Sequence, residues 1–136
     1  MIVWGGKTGN SRTGFVPVGD GAAFSPKTNS WRTISSRDAP RPRWDQTAVW
    51  TGTEMIVWGG STASGQSGTG ASYNPASDSW TALPTAGGPA ARTGHTAVWD
   101  GADMIVWGGF AGSLAGAYAV GSGPGFLGDG ARYNAV

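Results

Sequence analysis

The chain of 136 residues carries 12% charged residues, a formal net charge of +1 and no cysteine. Such near-neutrality gives no electrostatic case for nucleic acid or an anionic membrane, and the lack of thiols excludes disulfides and thiolate metal sites. Glycine (25 residues) and proline (8) are abundant, yet they recur at fixed positions beside eight tryptophans, so the composition describes a packed repeat and not disorder.

Met-Ile-Val-Trp-Gly-Gly opens the chain at Met1 and returns at Met55 and Met104. The unbroken apolar run predicts a strand covered on both faces, and the glycine pair lets the backbone bend or approach a neighbour. Ala22, Ala23 and Phe24 form the next short strand, answered by Ser72-Tyr73 and Arg132-Tyr133 in later units. The turns that follow, Ser25-Pro-Lys-Thr-Asn29 and Asn74-Pro-Ala-Ser-Asp78, hold Pro and Asn/Asp where tight turns favour them. A further strand begins at Trp31 and again at Trp80. Thr47-Ala-Val-Trp50 and Thr96-Ala-Val-Trp99 each lead through four turn-like residues into Met-Ile-Val-Trp, the pattern of a hairpin. Residues 111–120 alone have helical composition, and Gly112 and Gly116 make them a poor helix. The chain therefore reads as all-β, in units of four antiparallel strands. Its apolar runs are too short to span a bilayer, and no secretory leader is visible, because Met1 already lies inside a repeat.

The spacing adds a second clue. Gly21 to Gly60 and Gly70 to Gly109 both cover 39 positions, whereas the distance from the glycine pair to the third strand varies: 15 from Gly6, 10 from Gly60 and 21 from Gly109. All length variation falls in one loop type, which in a four-stranded meander emerges at one edge, and such insertions often mark a binding face.

These residues resemble the kelch repeat, in which a double glycine ends the second strand and a spaced Tyr and Trp follow. Gly59-Gly60, Tyr73 and Trp80 occupy those positions, with Phe24 and Trp31 one unit earlier; Arg43 and Arg92 match the family's arginine before the first strand, and His95 its common histidine. The resemblance implies a segment of a β-propeller made of four-stranded antiparallel blades, about two and a half of them. It divides the chain into an incomplete blade over residues 1–36 (strands 2 to 4), a complete blade over 43–85 and an incomplete blade over 92–136 (strands 1 to 3). Such an arc is expected to be a fragment of a larger ring, or to self-associate and complete one.

Candidate ligand-binding residues are Arg41, Arg43, Trp44, Arg92 and His95. The resemblance places the loops joining strand 4 to strand 1 and strand 2 to strand 3 on one face, beside these residues. Trp44 has Thr93 as its counterpart, so the repeat alone does not explain it. The recurrence of Arg43 and Arg92 also fits guanidiniums that satisfy loop carbonyls or a nearby carboxylate. His95, the sole histidine, supplies no nucleophile–base pair and no metal cluster, so no catalytic residue, metal or cofactor is assigned. Copper oxidases resembling galactose oxidase share the propeller, but their site needs a Cys-linked Tyr that a cysteine-free chain lacks.

The leading expectation is a non-catalytic module binding a protein or glycan through this loop face. The alternatives are part of a carbohydrate-active propeller enzyme, resembling sugar epimerases or mutarotases, and a truncated piece without independent function. Similarity to bacterial kelch proteins, many of them exported, suggests an extracellular or periplasmic location.

Overall fold

The computed structural model describes residues 1–112 and 125–134. Twelve strands follow in chain order: β1 (Ile2–Asn10), β2 (Gly14–Ser25), β3 (Ser30–Thr33), β4 (Thr47–Trp50), β5 (Met55–Trp58), β6 (Ser61–Thr62), β7 (Gly65–Gln66), β8 (Gly70–Asn74), β9 (Ser79–Ala82), β10 (Thr96–Trp99), β11 (Asp103–Trp107) and β12 (Gly130–Asn134). They form antiparallel sheets in the orders β1-β2-β3, β4-β5-β8-β9 and β10-β11-β12, with β6-β7 a small separate ribbon. No helix occurs among the described residues. Most of the 111–120 segment lies outside them.

The hairpins form where sequence and turn chemistry agree. In the β4–β5 turn, the Thr51 hydroxyl accepts the amides of Thr53 and Glu54, and the Thr51 amide closes onto the Glu54 carbonyl. Asp100 accepts the amides of Ala102 and Asp103 in the equivalent β10–β11 turn. The turns before β3 and β9 need a residue in the left-handed region at their last position. Asn29 (φ 50°) and Asp78 (φ 53°) supply it, as short polar side chains tolerate that conformation.

Successive sheets pack face to face. β5 is buried along its whole length and sends alternate residues to opposite sides. Met55 and Val57 join Trp4, Ile34, Ala71, Tyr73 and Trp80 in one apolar cluster; Ile56 and Trp58 join Val49, Leu83, Met104 and Val106 in the next. Trp4 and Trp80 meet across the first interface with ring centroids 5.3 Å apart, and the Trp80 indole donates to the Ser35 carbonyl at 2.8 Å. Asp78 ties the same interface, accepting from the Ser35 amide at 3.0 Å, the Tyr73 hydroxyl and Arg32.

The first variable loop is itself a strand pair: β1 and β2 continue through it as a long hairpin, with a break in register between Trp4 and Gly6. Its tip closes because the Asn10 side chain accepts the amides of Arg12 and Thr13 and Gly14 takes φ 80°. The second variable loop contains the β6-β7 ribbon, closed by the Thr62 hydroxyl donating to the Gly65 carbonyl.

The glycine that opens the third strand of each unit is fixed by proximity, not by dihedral. A Cβ on Gly70 would lie 2.9 Å from both Leu83 Cδ1 and Trp58 Cδ1, and against the Val57 carbonyl; Gly21 meets Val3, Ile34 and Trp4 in the same way. Gly70→Ala is therefore expected to destabilise the fold by about 1–3 kcal/mol through overpacking. Gly128→Ala, where an added Cβ meets nothing within 4 Å, should stay within about 0.5 kcal/mol. Urea unfolding midpoints of the two variants check the contrast.

Candidate functional site

The connections before β4 and β10 lie against those after β5 and β11, and two buried arginines hold them there. Arg43 is 1% exposed. Its Nε donates to the Arg41 carbonyl (3.0 Å), Nη1 to the carbonyls of Gly59 (3.0 Å) and Thr69 (2.7 Å), and Nη2 to the Thr69 hydroxyl (3.1 Å). Arg92 repeats the pattern one unit later. Its Nε reaches the Ala90 carbonyl and Nη1 those of Gly108 and Asp129, while Nη2 pairs with the Asp129 carboxylate at 2.9 Å. Burial lowers the Arg43 pKa from its ordinary value, yet a guanidinium surrounded by carbonyls keeps its charge.

Each of these arginines also uses its own carbonyl. Arg43 O accepts the Gly6 amide at 2.8 Å, and Arg92 O accepts the Gly60 amide at 2.9 Å, so the glycine pair of one sheet is bonded to the entry of the next. That contact needs Gly5-Gly6 and Gly59-Gly60 at positive φ (between 70° and 119°), which accounts for the double glycine physically.

His95 is buried beside this seam. Its Nε2 is 2.8 Å from the Thr47 hydroxyl, and its ring stands edge-on to Trp58 at 5.1 Å. Burial and the nearby Arg92 charge push its pKa below the ordinary histidine range, against a backbone hydrogen bond with Trp58 that acts the other way. Gln46, its counterpart, donates to the Trp4 carbonyl at 3.0 Å. Both side chains link one sheet to the one before, Gln46 through a backbone carbonyl and His95 through a side-chain hydroxyl.

Trp44 and Arg41 stand on the open side. Trp44 is half-buried, pairs through its backbone with Ser61, and carries the Lys7 ammonium 5.8 Å from its ring centroid. Arg41 is exposed, and its carbonyl anchors Arg43. Thr93 pairs with Phe110 exactly where Trp44 pairs with Ser61. Phe110 in turn packs on Phe126, centroids 5.4 Å apart, and with Asp45, Thr93, Gly94 and Leu127 they line a groove of about 470 Å³.

The structure thus separates the five sequence candidates. Arg43, Arg92 and His95 lie together beneath the surface with their polar groups facing protein, whereas Arg41 and Trp44 reach the loop face. Sequence reasoning missed Phe15, Phe110 and Phe126 there. Phe15 and Phe126 are 49% and 63% exposed, and Lys7 lies 4.5 Å above the Phe15 ring. The available signal was their position: each stands within a variable-length loop, where the repeat demands no core aromatic.

Three antiparallel sheets stacked in sequence, each joined to the next through its glycine pair, define a segment of a β-propeller. The chain matches the family model described as the KLHDC2/KLHL20/DRC7 Kelch-repeats domain over residues 1–121, and it belongs to the kelch-repeat family. A comparison with curated proteins gives no match. Kelch-repeat domains generally mediate protein interactions, and at that coarse level the family indicates an interaction module.

Two expected outcomes test the seam. Arg43→Ala leaves buried carbonyls without donors, each costing about 1–3 kcal/mol, so a loss of roughly 3 kcal/mol or more is expected. Arg41→Ala, at an exposed side chain, should change stability by no more than about 0.5 kcal/mol in the same denaturation experiment. For His95, the depressed pKa means that below about pH 6.5 the unfolded chain takes up a proton that the folded chain resists. Stability should therefore fall as pH drops through that range, down to the lower pKa of the folded state. His95→Gln, which copies Gln46, should flatten that dependence in thermal melts between pH 7.5 and about pH 5.

Proposed function

We propose that the loop face binds a segment of a protein ligand, without catalysis. The observation that carries this reading is a set of exposed or half-buried apolar side chains on successive loops: Phe15 and Val16 at the β1–β2 hairpin, Trp44 before β4, and Phe110 with Phe126 after β11. Aromatic residues surrounded by polar ones are the composition of interaction hot spots, because they exclude water over a large area at little loss of side-chain freedom. Lys7, Arg41 and Asp45 supply a mixed-charge surround that suits a polypeptide better than a polyanion.

In this reading Trp44 and Arg41 contact the ligand. Arg43, Arg92 and His95 act one layer down, fixing the loops in place so that little ordering is required on binding. A glycan stacked on the same aromatics is the competing ligand class.

Panning a phage-displayed random-peptide library against the protein, beside a glycan array, tests the proposal. Selected peptides should bind the Trp44→Ala/Phe126→Ala double variant about tenfold or more weakly, as loss of a hot-spot residue predicts. Peptides that bind this variant and the parent equally, or recognition of glycans alone, would overturn it.

A further inference from the structure

The Asp45 carboxylate makes no hydrogen bond or ion pair with any described residue, whereas Asp78, Asp100, Asp103 and Asp129 are each held by a guanidinium. The backbone does not call for an acid at this position. Gly94 occupies it one unit later with nearly the same dihedral, φ 64° against 54°. The charge is therefore a property of this unit alone.

Asp45 lines the groove of about 470 Å³ that Phe110 and Phe126 also line. Phe126 remains 63% exposed although Phe110 packs against it, so aromatic surface is open to a ligand there. The other described residues along the groove, Ser61 and Thr93 among them, are uncharged, and no cation lines it to answer the carboxylate. Nearby cations are engaged elsewhere: the Lys7 ammonium sits over Phe15 at 4.5 Å, and buried Arg92 is matched by Asp129 at 2.9 Å. One unanswered negative charge beside exposed aromatic rings is complementary to a cation with a flat or apolar body.

We propose that this groove takes an arginine side chain of the bound protein segment. Its guanidinium pairs with the Asp45 carboxylate, and its plane and apolar stem lie against the phenylalanines. An exposed ion pair contributes little alone, so the aromatic contact is needed for selectivity. A lysine would supply the charge without the plane. That a protein brings the arginine rests on the function proposed above; the chemistry of the groove does not.

The probe is N-acetyl-arginine N-methylamide, titrated at low ionic strength into the isotope-labelled 136-residue chain and followed by amide chemical shifts. Saturable shifts are expected at Thr93, Gly94 and Phe110. The citrulline analogue, which keeps the shape and loses the charge, should bind about fivefold or more weakly, and the lysine analogue should also bind more weakly. Asp45→Asn keeps a residue that tolerates the left-handed backbone and removes the charge; it should weaken arginine binding about threefold or more, as should Phe126→Ala. No saturable shift in the folded chain would overturn the proposal. So would citrulline or lysine analogues that bind as tightly as arginine, or a folded Asp45→Asn variant that binds arginine as the parent does. Failure of the protein-ligand reading has a different signature: the arginine probe binds the groove while panning yields no peptide. That result would overturn the protein source and leave the selectivity for a guanidinium.

Discussion

The structure depends on two buried guanidiniums. A four-stranded unit solves its own backbone hydrogen bonding within the sheet, but the long connections between sheets do not; they run partly inside, where an unpaired carbonyl costs free energy. Arg43 and Arg92 answer this with a planar fork of donors. Each gathers carbonyls from the start and the end of one variable loop and from its own connection. Only then is the carbonyl of the same arginine held where it can receive the glycine amide of the preceding sheet. A lysine would bring the charge without the fork.

With the connections fixed, the sheets stack by apolar burial, and the repeat gives each equivalent residue the same task in a different setting. Trp4 and Trp58 are nearly inaccessible because another sheet covers them, while Trp107, their counterpart, is 59% exposed. Trp31 is likewise 52% exposed where Trp80 is 5%. The difference lies in what is packed against them and not in the residues themselves. Repeat architectures behave in this way because each unit interacts chiefly with its neighbours, so stability is nearly a sum over interfaces.

Much of this was legible in the sequence. The strands of β4, β5, β8 and β9 follow from short apolar segments separated by turn residues, and the constancy of the 39-residue spacing separates scaffold from variable loop before any coordinate is known. The double covering of β5 follows from its uninterrupted Met-Ile-Val-Trp. Other features were not legible. That β1 and β2 extend to Asn10 and Gly14 depends on backbone pairing across Lys7-Thr8-Gly9, a stretch with no apolar periodicity to announce a strand. The depth of Arg43 relative to Arg41 depends on the carbonyls that surround each, and sequence gives residues, not the positions of their neighbours' oxygens. Phe110 and Phe126 are 16 positions apart, so their contact arises from the closure of the loop and has no local signature.

The division between seam and face explains how such a scaffold can carry different surfaces. Gln46 and His95 differ in chemistry, yet both bond to the preceding sheet, Gln46 at the Trp4 carbonyl and His95 at the Thr47 hydroxyl, so the seam constrains them to a shared structural duty. At the neighbouring position the constraint is weaker. Asp45 and Gly94 adopt the same left-handed backbone, φ 54° and 64°, and the chain accepts the modest strain of a side chain there in one unit and not in the other. Trp44 and Thr93 show the same freedom, since each contributes its backbone to an identical two-bond bridge while its side chain is left unspecified. The backbone hydrogen bonds that hold the loops make no demand on these side chains. Chemistry at the face can therefore change from unit to unit at little risk to the fold, provided the arginine beneath is kept.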